Sequence, residues 1–318
     1  MNILFQTAYT LSLKLYELGA RIIAMTGRDK AKHWLHGQRN WRNDLASLDG
    51  KAVVWMHCAS LGEFEQGRPV MEALRKKLPD HRFVISFFSP SGYEQINRDS
   101  HDFDLVYLPL DTPENARAFI ETLNPSLVFF VKYEFWINYL SLLEKRDIPV
   151  FLISAVISEK HLRYPIYKQY VLKCLEKFNY IFVQNRASKE RLHKLGIPSE
   201  MSGDTRVDRV LNLPEEAEQM SFPEIIDWIS GRDVLICGSS WPEDEQLIFS
   251  CLQSNDWNDL AVILAPHDIS EKHLQWMHEN CLYECSRYSR IGSKDKIPAG
   301  DVLIIDSIGL LSRLYKLA

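Results

Sequence analysis

The feature that most limits the fold is a succession of unbroken apolar runs, each followed by a segment of helical spacing. The runs are "AVVWMHCAS", "RFVISFFS", "DLVYLPL", "SLVFFVKYE", "IPVFLISAV" and "YIFVQN". After the first of them, Val70, Leu74 and Leu78 recur at the period of one helix face. A strand with one wet face alternates polar and apolar side chains, whereas a strand that is apolar throughout is covered on both faces. Continuous runs joined by helices therefore predict a parallel sheet with helices on each side, an α/β domain of the doubly wound kind.

The polar, acidic, proline-bearing stretch "LNLPEEAEQMSFPE", residues 211–224, reads as a linker. Beyond it the alternation resumes with "DVLICGSSW", "LAVILAPHD", "LYECSRY" and "DVLIIDSIG", and a helix is expected from about Pro242. The pattern divides the chain into an amphipathic N-terminal segment (1–45), a first Rossmann-like domain (46–210), the linker (211–224) and a second, partial domain (225–318). The second domain is expected to be incomplete, because so few strands leave apolar edges and faces uncovered.

With 46% apolar residues among 318, both domains have material for a core. The net charge of −5 comes from 37 basic and 42 acidic residues, which argues against nucleic acid as a partner drawn by the overall field. Six cysteines, at 58, 174, 237, 251, 281 and 285, lack CxxC spacing and read as reduced thiols, with neither a disulfide nor a metal site expected.

Near the N-terminus, "ILFQTAYTLSLKLYELGARIIAM" is long enough to span a bilayer, yet it holds Lys14, Glu17 and Arg21. Gln6, Thr10, Lys14, Glu17 and Arg21 make one narrow polar stripe, and Leu4, Phe5, Leu11, Leu15, Leu18 and Ile22 cover the rest. Two readings follow: a helix lying in a membrane interface, or an amphipathic helix packed on its own domain. From Lys14 to Arg42 seven Lys or Arg stand against two acids, a balance that favours an anionic lipid surface.

In a parallel α/β sheet ligands bind at the carboxyl ends of the strands, so the turns there are the candidate site. "SLGE" follows the first run and places Glu63 near a helix start, where backbone N–H groups favour its ionised form. The carboxylate is either a general base or an ordinary helix-start acid. Glu65 is expected in the first helical turn as a partner of the helix dipole. "FFSPSGYE" supplies Ser89, Ser91 and Gly92 for hydroxyl or phosphate contacts, or a plain capping turn. "VKYEFWIN" groups Lys132, Glu134, Trp136 and Asn138, and "SGDTRVD" brings Arg206, suited to stabilising negative charge. In the second domain Ser239 and Ser240 precede a helix start fit for a phosphate, and His267 ends the next strand. Glu243, Asp244 and Glu245 read as a solvated helix face. No GxGxxG, Walker loop or HExxH occurs.

Taken in order, "HCASLGE", "SPSGYE", "YLPLDTPENARAFIETLNPSLVFF", "YEFWIN", "ISAVIS", "SGDTRVD", "SSWPEDE", "APHD" and "IDSIGLLSRLY" resemble the Kdo transferase family, bacterial inner-membrane glycosyltransferases of the two-Rossmann GT-B fold. The resemblance implies transfer of 3-deoxy-D-manno-octulosonic acid (Kdo) from CMP-Kdo to a lipid A precursor, in lipopolysaccharide biosynthesis at the cytoplasmic face of the inner membrane. It implies an inverting reaction with no metal and no other cofactor. Glu63 matches the family's general base, Ser60 and Gly62 its S-x-GE core, and Arg206 stands where the family pattern has a lysine. Lys132 replaces the usual glutamate two positions before Glu134, which is retained. The resemblance places Ser60, Gly62, Ser91 and Glu134 on the acceptor, and Ser239, Ser240, Pro266, His267, Ile308 and Gly309 on the donor. Pro266 and His267 stand for a Pro-Arg pair, and Gly309 and Leu310 for a Gly-Glu pair. By the resemblance, the chain is expected to stop short of the family's glycine-rich stretch and its Asn-x-x-Glu element, so weak donor binding is expected. The alternatives are a noncatalytic glycolipid-binding or membrane-associated protein and another GT-B nucleotide-sugar transferase.

Overall fold

The computed structural model describes residues 3–45, 51–96, 103–207, 222–254, 259–281, 283–291, 297, 302–307 and 310–317. The chain divides into two compact units, Met1–Leu211 and Asn212–Ala318. Of the expected linker, residues 211–221 lie outside the described residues.

The first unit is built on seven strands: β1 (Val53–Cys58), β2 (Arg82–Phe87), β3 (Asp104–Tyr107), β4 (Pro125–Val131), β5 (Val150–Ala155), β6 (Tyr180–Val183) and β7 (Ser199–Met201). All pair in parallel, in the order β3-β2-β1-β4-β5-β6-β7. The six apolar runs are β1 to β6. No run announces β7, a short edge strand that needs only backbone pairing to β6.

Successive side chains leave the sheet on opposite faces, and both faces are dry. Trp55, Val84, Val128, Phe130 and Leu152 join a core with Phe119, Tyr139 and Val171 of helices α5 (Pro113–Leu123), α6 (Ile137–Lys145) and α7 (Pro165–Leu175). Val54, Met56, Ile85, Phe87 and Val131 join another with Phe64 and Met71 of α3 (Leu61–Lys77). Right-handed crossovers explain the division. The chain moves one way across the sheet from β1 to β2 and the other way from β4 to β5, so their helices cover opposite faces. Between β1 and β4 the direction of winding reverses, which leaves a crevice at their carboxyl ends.

Two helices precede this sheet. In α2 (Asp29–Leu45), Gln38 donates to the Leu108 carbonyl at 2.8 Å and accepts from the Leu110 N–H at 2.9 Å. Gly37 lies so close to Tyr107 that an added Cβ would stand 2.4 Å from the ring. In α1 (Ile3–Met25), Phe5 and Tyr9 pack on Tyr170, and the Tyr9 hydroxyl donates to Asp111 at 2.9 Å. Asp111 is buried and also accepts from the backbone N–H groups of Asn138 and Tyr139 at 3.0 Å, satisfying the start of α6. The outer side of α1 carries the polar stripe and, beside it, Leu11, Leu15, Leu18 and Ile22, all well exposed. Among the described residues no helix is long and apolar enough to cross a membrane.

The second unit holds four parallel strands, β8 (Asp233–Ser240), β9 (Leu260–Pro266), β10 (Cys285–Arg287) and β11 (Val302–Ile304), in the order β10-β11-β9-β8. Helices Pro242–Ser254 and Glu271–Asn280 cover one face through Phe249, Leu252, Leu274 and Met277, and helix Pro223–Ile229 packs Ile225 on the other. Among the described residues β8 pairs on one side only, and Leu235 in it is exposed.

The approach of α2 to β3 yields a stability prediction. Gly37→Ala is expected to cost about 1–3 kcal/mol, because the buried Tyr107 ring must move to admit the methyl group. Urea denaturation checks this: an unchanged midpoint would show that α2 does not bear on the Tyr107 ring as described.

Candidate active site

The crevice between the ends of β1 and β4 is lined from the two turns that follow them. After β1 the chain turns at Ala59 and Ser60 into α3, with Ser60 as its N-cap. Glu63 is the third residue of that helix and folds back to accept from the N–H groups of Ala59 at 2.5 Å and Ser60 at 3.2 Å, a capping contact. Its side chain is buried, with the residue only 4% exposed. The helix begins at Leu61, so Glu63 is the acid of the first turn, and Glu65 falls in the second rather than the first. Gly62 sits in the same turn, and a Cβ there would meet nothing within 4 Å.

After β4, Lys132 takes up a left-handed backbone (φ 75°) while its N–H still donates to Ile153 of β5 at 2.8 Å. This conformation is costly for a residue with a side chain and redirects the chain at the carboxyl end of β4. Glu134 follows, buried, and accepts from Trp136 Nε1 at 2.8 Å. The same oxygen, Oε2, stands 3.4 Å from His57 Nε2.

His57 comes from the interior of β1 and is wholly buried. The strand register sets it beside Ser86 of β2. Trp55 Nε1, which can only donate, bonds Ser86 Oγ at 2.8 Å, and Ser86 Oγ lies 2.9 Å from His57 Nδ1. Nδ1 also lies 3.2 Å from the Ser86 backbone carbonyl, so Ser86 meets this ring nitrogen with both its hydroxyl and its carbonyl. A run of close contacts thus leads from Trp55 through Ser86 and His57 to Glu134.

Glu63 is held well above the ordinary carboxylate range, at about 7. Burial is the largest cause, and the negative charge of Glu134 adds to it; the Ala59 N–H, Lys132 and the Ser60 N–H pull the other way. The helix start does favour the ionised form, as expected from the sequence, but desolvation and the second carboxylate outweigh it. Burial likewise pushes Asp111 up to about 7, against three hydrogen bonds that lower it.

Arg206 lies in a short turn after β7. Its Nε and Nη2 bond Asp204, at 3.0 and 2.5 Å to Oδ2, and the guanidinium holds the Asp204 carboxyl below its ordinary value. The turn is docked on α3 one helical turn beyond Glu63. Thr205 Oγ1 donates to the Gln66 carbonyl at 2.5 Å, and Gln66 Nε2 reaches Asp204 at 3.4 Å. Glu63, Lys132 and Glu134 thus meet at the ends of β1 and β4, and the turn bearing Arg206 is joined to α3 through Gln66. Ser91 lies in the first turn of α4 (Pro90–Gln95), beyond β2.

In the second unit Ser239, Ser240, Pro266 and His267 come together at the ends of β8 and β9, where the His267 N–H donates to the Ser240 carbonyl at 2.9 Å. His267 stacks on Trp241, with ring centroids 4.4 Å apart. The Ser240 hydroxyl donates to Glu245 at 2.9 Å, and His273 Nε2 is 3.0 Å from the same carboxylate. Glu243 and Asp244 are exposed, but Glu245 is fully buried and corrects the expectation of a wholly solvated acidic face. Ile308 and Gly309 lie outside the described residues.

A family model described as 3-Deoxy-D-manno-octulosonic-acid transferase (kdotransferase) matches residues 29–209, more than half of the chain and the whole of this crevice. The chain belongs to this family. A bifunctional glycosyltransferase/methyltransferase of Fusobacterium nucleatum is 22% identical over 301 residues, 92% of this chain and 46% of that protein. A 3-deoxy-D-manno-octulosonic acid transferase of Rickettsia felis is 23% identical over 282 residues, 86% of this chain and 59% of the relative. The chain therefore spans about half the length of these curated relatives. Among solved structures, UDP-GlcNAc 2-epimerase from Neisseria meningitidis bound to UDP-GlcNAc is similar with a TM-score of 0.59 at 14% identity, covering 83% of this chain and 74% of that one. A putative UDP-N-acetylglucosamine 2-epimerase from Listeria monocytogenes gives 0.56, also at 14% identity, over 84% and 72%. At such identity the likeness is one of fold, and it makes the kdotransferase chain GT-B-like.

Sequence reasoning reached Glu63, Lys132, Glu134 and Arg206 but not His57, Ser86 or Asp111. His57 is hidden in an apolar run, and its partners stand far along the chain, so only the β1–β2 register reveals it. Asp111 offered one faint signal, a carboxylate directly before the Thr112–Pro113 helix start.

Two charge changes test the electrostatics. Glu134→Gln is expected to lower the pKa of Glu63 from about 7, by removing a like charge, while Lys132→Glu raises it further. Carboxyl-carbon NMR titration reads both, and opposite signs would refute the arrangement. A second measurement concerns stability. A carboxyl raised in the folded state binds a proton that the unfolded chain releases, so its contribution is full at low pH and is lost as pH rises from the ordinary value of 4.5 through about 7. Glu63→Gln should flatten that decline relative to wild type in chemical denaturation, leaving the part due to Asp111.

Proposed function

We propose that this kdotransferase-family chain is a glycosyltransferase of lipopolysaccharide biosynthesis, with Glu63 as the general base. The observation that carries the reading is a buried carboxylate, poised near 7, at the reversal point of a parallel sheet. A base with that proton affinity takes a proton effectively at neutral pH. The acceptor hydroxyl gives its proton to a Glu63 oxygen as its own oxygen bonds to the anomeric carbon of Kdo. The bond from that carbon to the CMP phosphate oxygen breaks in the same step, CMP departs with the electron pair, and the configuration inverts.

The first unit takes the acceptor, a lipid A precursor, near Ser60, Gly62, Ser91 and Glu134. Lys132 restrains the affinity of Glu63 for its proton. Arg206 meets the departing phosphate: Asp204 engages Nε and Nη2, while Nη1 has no partner among the described residues. In the second unit, the Ser239–Ser240 turn with Pro266 and His267 receives CMP-Kdo, and Ile308 and Gly309 complete this set. The reading assigns no step to a metal. The exposed apolar stripe of α1 supports attachment to the cytoplasmic face of the inner membrane, where the acceptor resides.

The test is turnover of CMP-Kdo with the lipid A precursor. Glu63→Gln is expected to lower kcat by about 10²–10⁴-fold with little change in acceptor KM. Binding of the acceptor without turnover by the wild-type chain would favour the noncatalytic reading instead.

A further inference from the structure

A groove of about 420 Å³ opens between α1, α2 and the turn after β2. Its walls are Tyr16, Gly19 and Ile23 of α1, Trp34 of α2 and Phe88, and Lys30 stands among its lining residues. The volume is that of a ligand site, which typically runs to roughly 300–1,000 Å³. Two features mark the ligand as an amphiphile. Lys30 is exposed and makes no ion pair with any described residue, while the other walls, Ser89 apart, are apolar or aromatic. Trp34 is buried, and its Nε1–H finds no acceptor among the described residues, a donor that costs free energy while unmatched.

One aromatic ring stands between the groove and the residues of the carboxylate crevice. Phe88 packs on Trp34 and Tyr16 on one side, with centroids 5.7 and 6.1 Å apart, and on Trp136 on the other at 5.0 Å. Trp136 is the residue that bonds Glu134 and lies edge-on to His57. On its outer side the groove adjoins the exposed Leu15 and Leu18 of α1. A molecule with an apolar chain in the groove and a sugar hydroxyl at Glu63 touches both parts at once, which a lipid confined to the bilayer does not.

We propose that the α1–α2–Phe88 groove seats one acyl chain of the acceptor glycolipid, beside an anionic group at Lys30. The proposal rests on the acceptor reading above and deepens it, making acylation a recognised feature of the substrate rather than only its membrane tether.

Gly19 provides the test, because a Cβ there meets nothing within 4 Å and a side chain grows into open space. Gly19→Phe therefore fills the groove while leaving the packing of α1 intact, which circular dichroism verifies. The full chain is titrated in detergent with the lipid A precursor and with its fully deacylated form, followed by microscale thermophoresis. Wild type is expected to bind the acylated form at least about tenfold more tightly, the effect of burying roughly two methylene groups. Gly19→Phe should bring that ratio close to one without altering affinity for the deacylated form. An unchanged ratio overturns the proposal. So does a wild-type chain with no preference, or equal displacement of the precursor by a phospholipid of the same chain length. Glu63→Gln separates the two readings: loss of turnover with the ratio retained upholds both, whereas turnover and ratio both retained remove the general base and leave the groove.

Discussion

Two carboxylates held out of water cannot both give up their protons cheaply, and the rest of this molecule's chemistry depends on that constraint. Glu63 and Glu134 arrive from different strands at the point where the sheet's winding reverses, and each is buried there. Desolvation alone raises a carboxyl; a neighbouring negative charge raises it further. Glu134 accepts from Trp136 Nε1, and His57 Nε2 stands 3.4 Å from the same oxygen. Glu63 has two backbone N–H groups and the more distant Lys132, which do not offset its burial. Glu63 is thus the carboxylate kept ready to exchange a proton.

The contacts of Glu134 reach well into the core. Trp55 and Ser86 serve the packing of β1 on β2 and, through the same atoms, aim His57. Asp111 does similar duty for the outer layer by tying Tyr9 of α1 to the first N–H groups of α6. Through that tie, α1 is fixed to the body of the first unit while one of its sides stays apolar and exposed. Phe88 and Trp136 then form a wall with the α1–α2 groove on one side and the carboxylates on the other, which is the setting the proposal uses for a substrate part sugar and part hydrocarbon.

Much of the fold could be read residue by residue. Runs such as "RFVISFFS" are apolar on both sides of the strand, and only a doubly covered parallel sheet satisfies them. The period of Val70, Leu74 and Leu78 announces α3 as plainly. These are local signals, set by which side chains a segment can leave in water. What escaped notice was equally physical: β7 carries no apolar run because an edge strand needs none, and Glu245 looks like its neighbours Glu243 and Asp244 until Ser240 and His273 are seen beside it.

The sequence by itself determined the parallel α/β class, the places of ten strands, the amphipathic character of the N-terminal helix and the presence of acids and bases in the turns after the strands. Those properties follow from short-range periodicity and need no knowledge of the partner. Only the tertiary structure decided which strand ends adjoin, and so which acid meets which. Proton affinity is a property of surroundings: the same Glu63 would be an ordinary carboxylate in water, and it is the closing of β4 against β1 that gives it Glu134 as a neighbour and takes the water away.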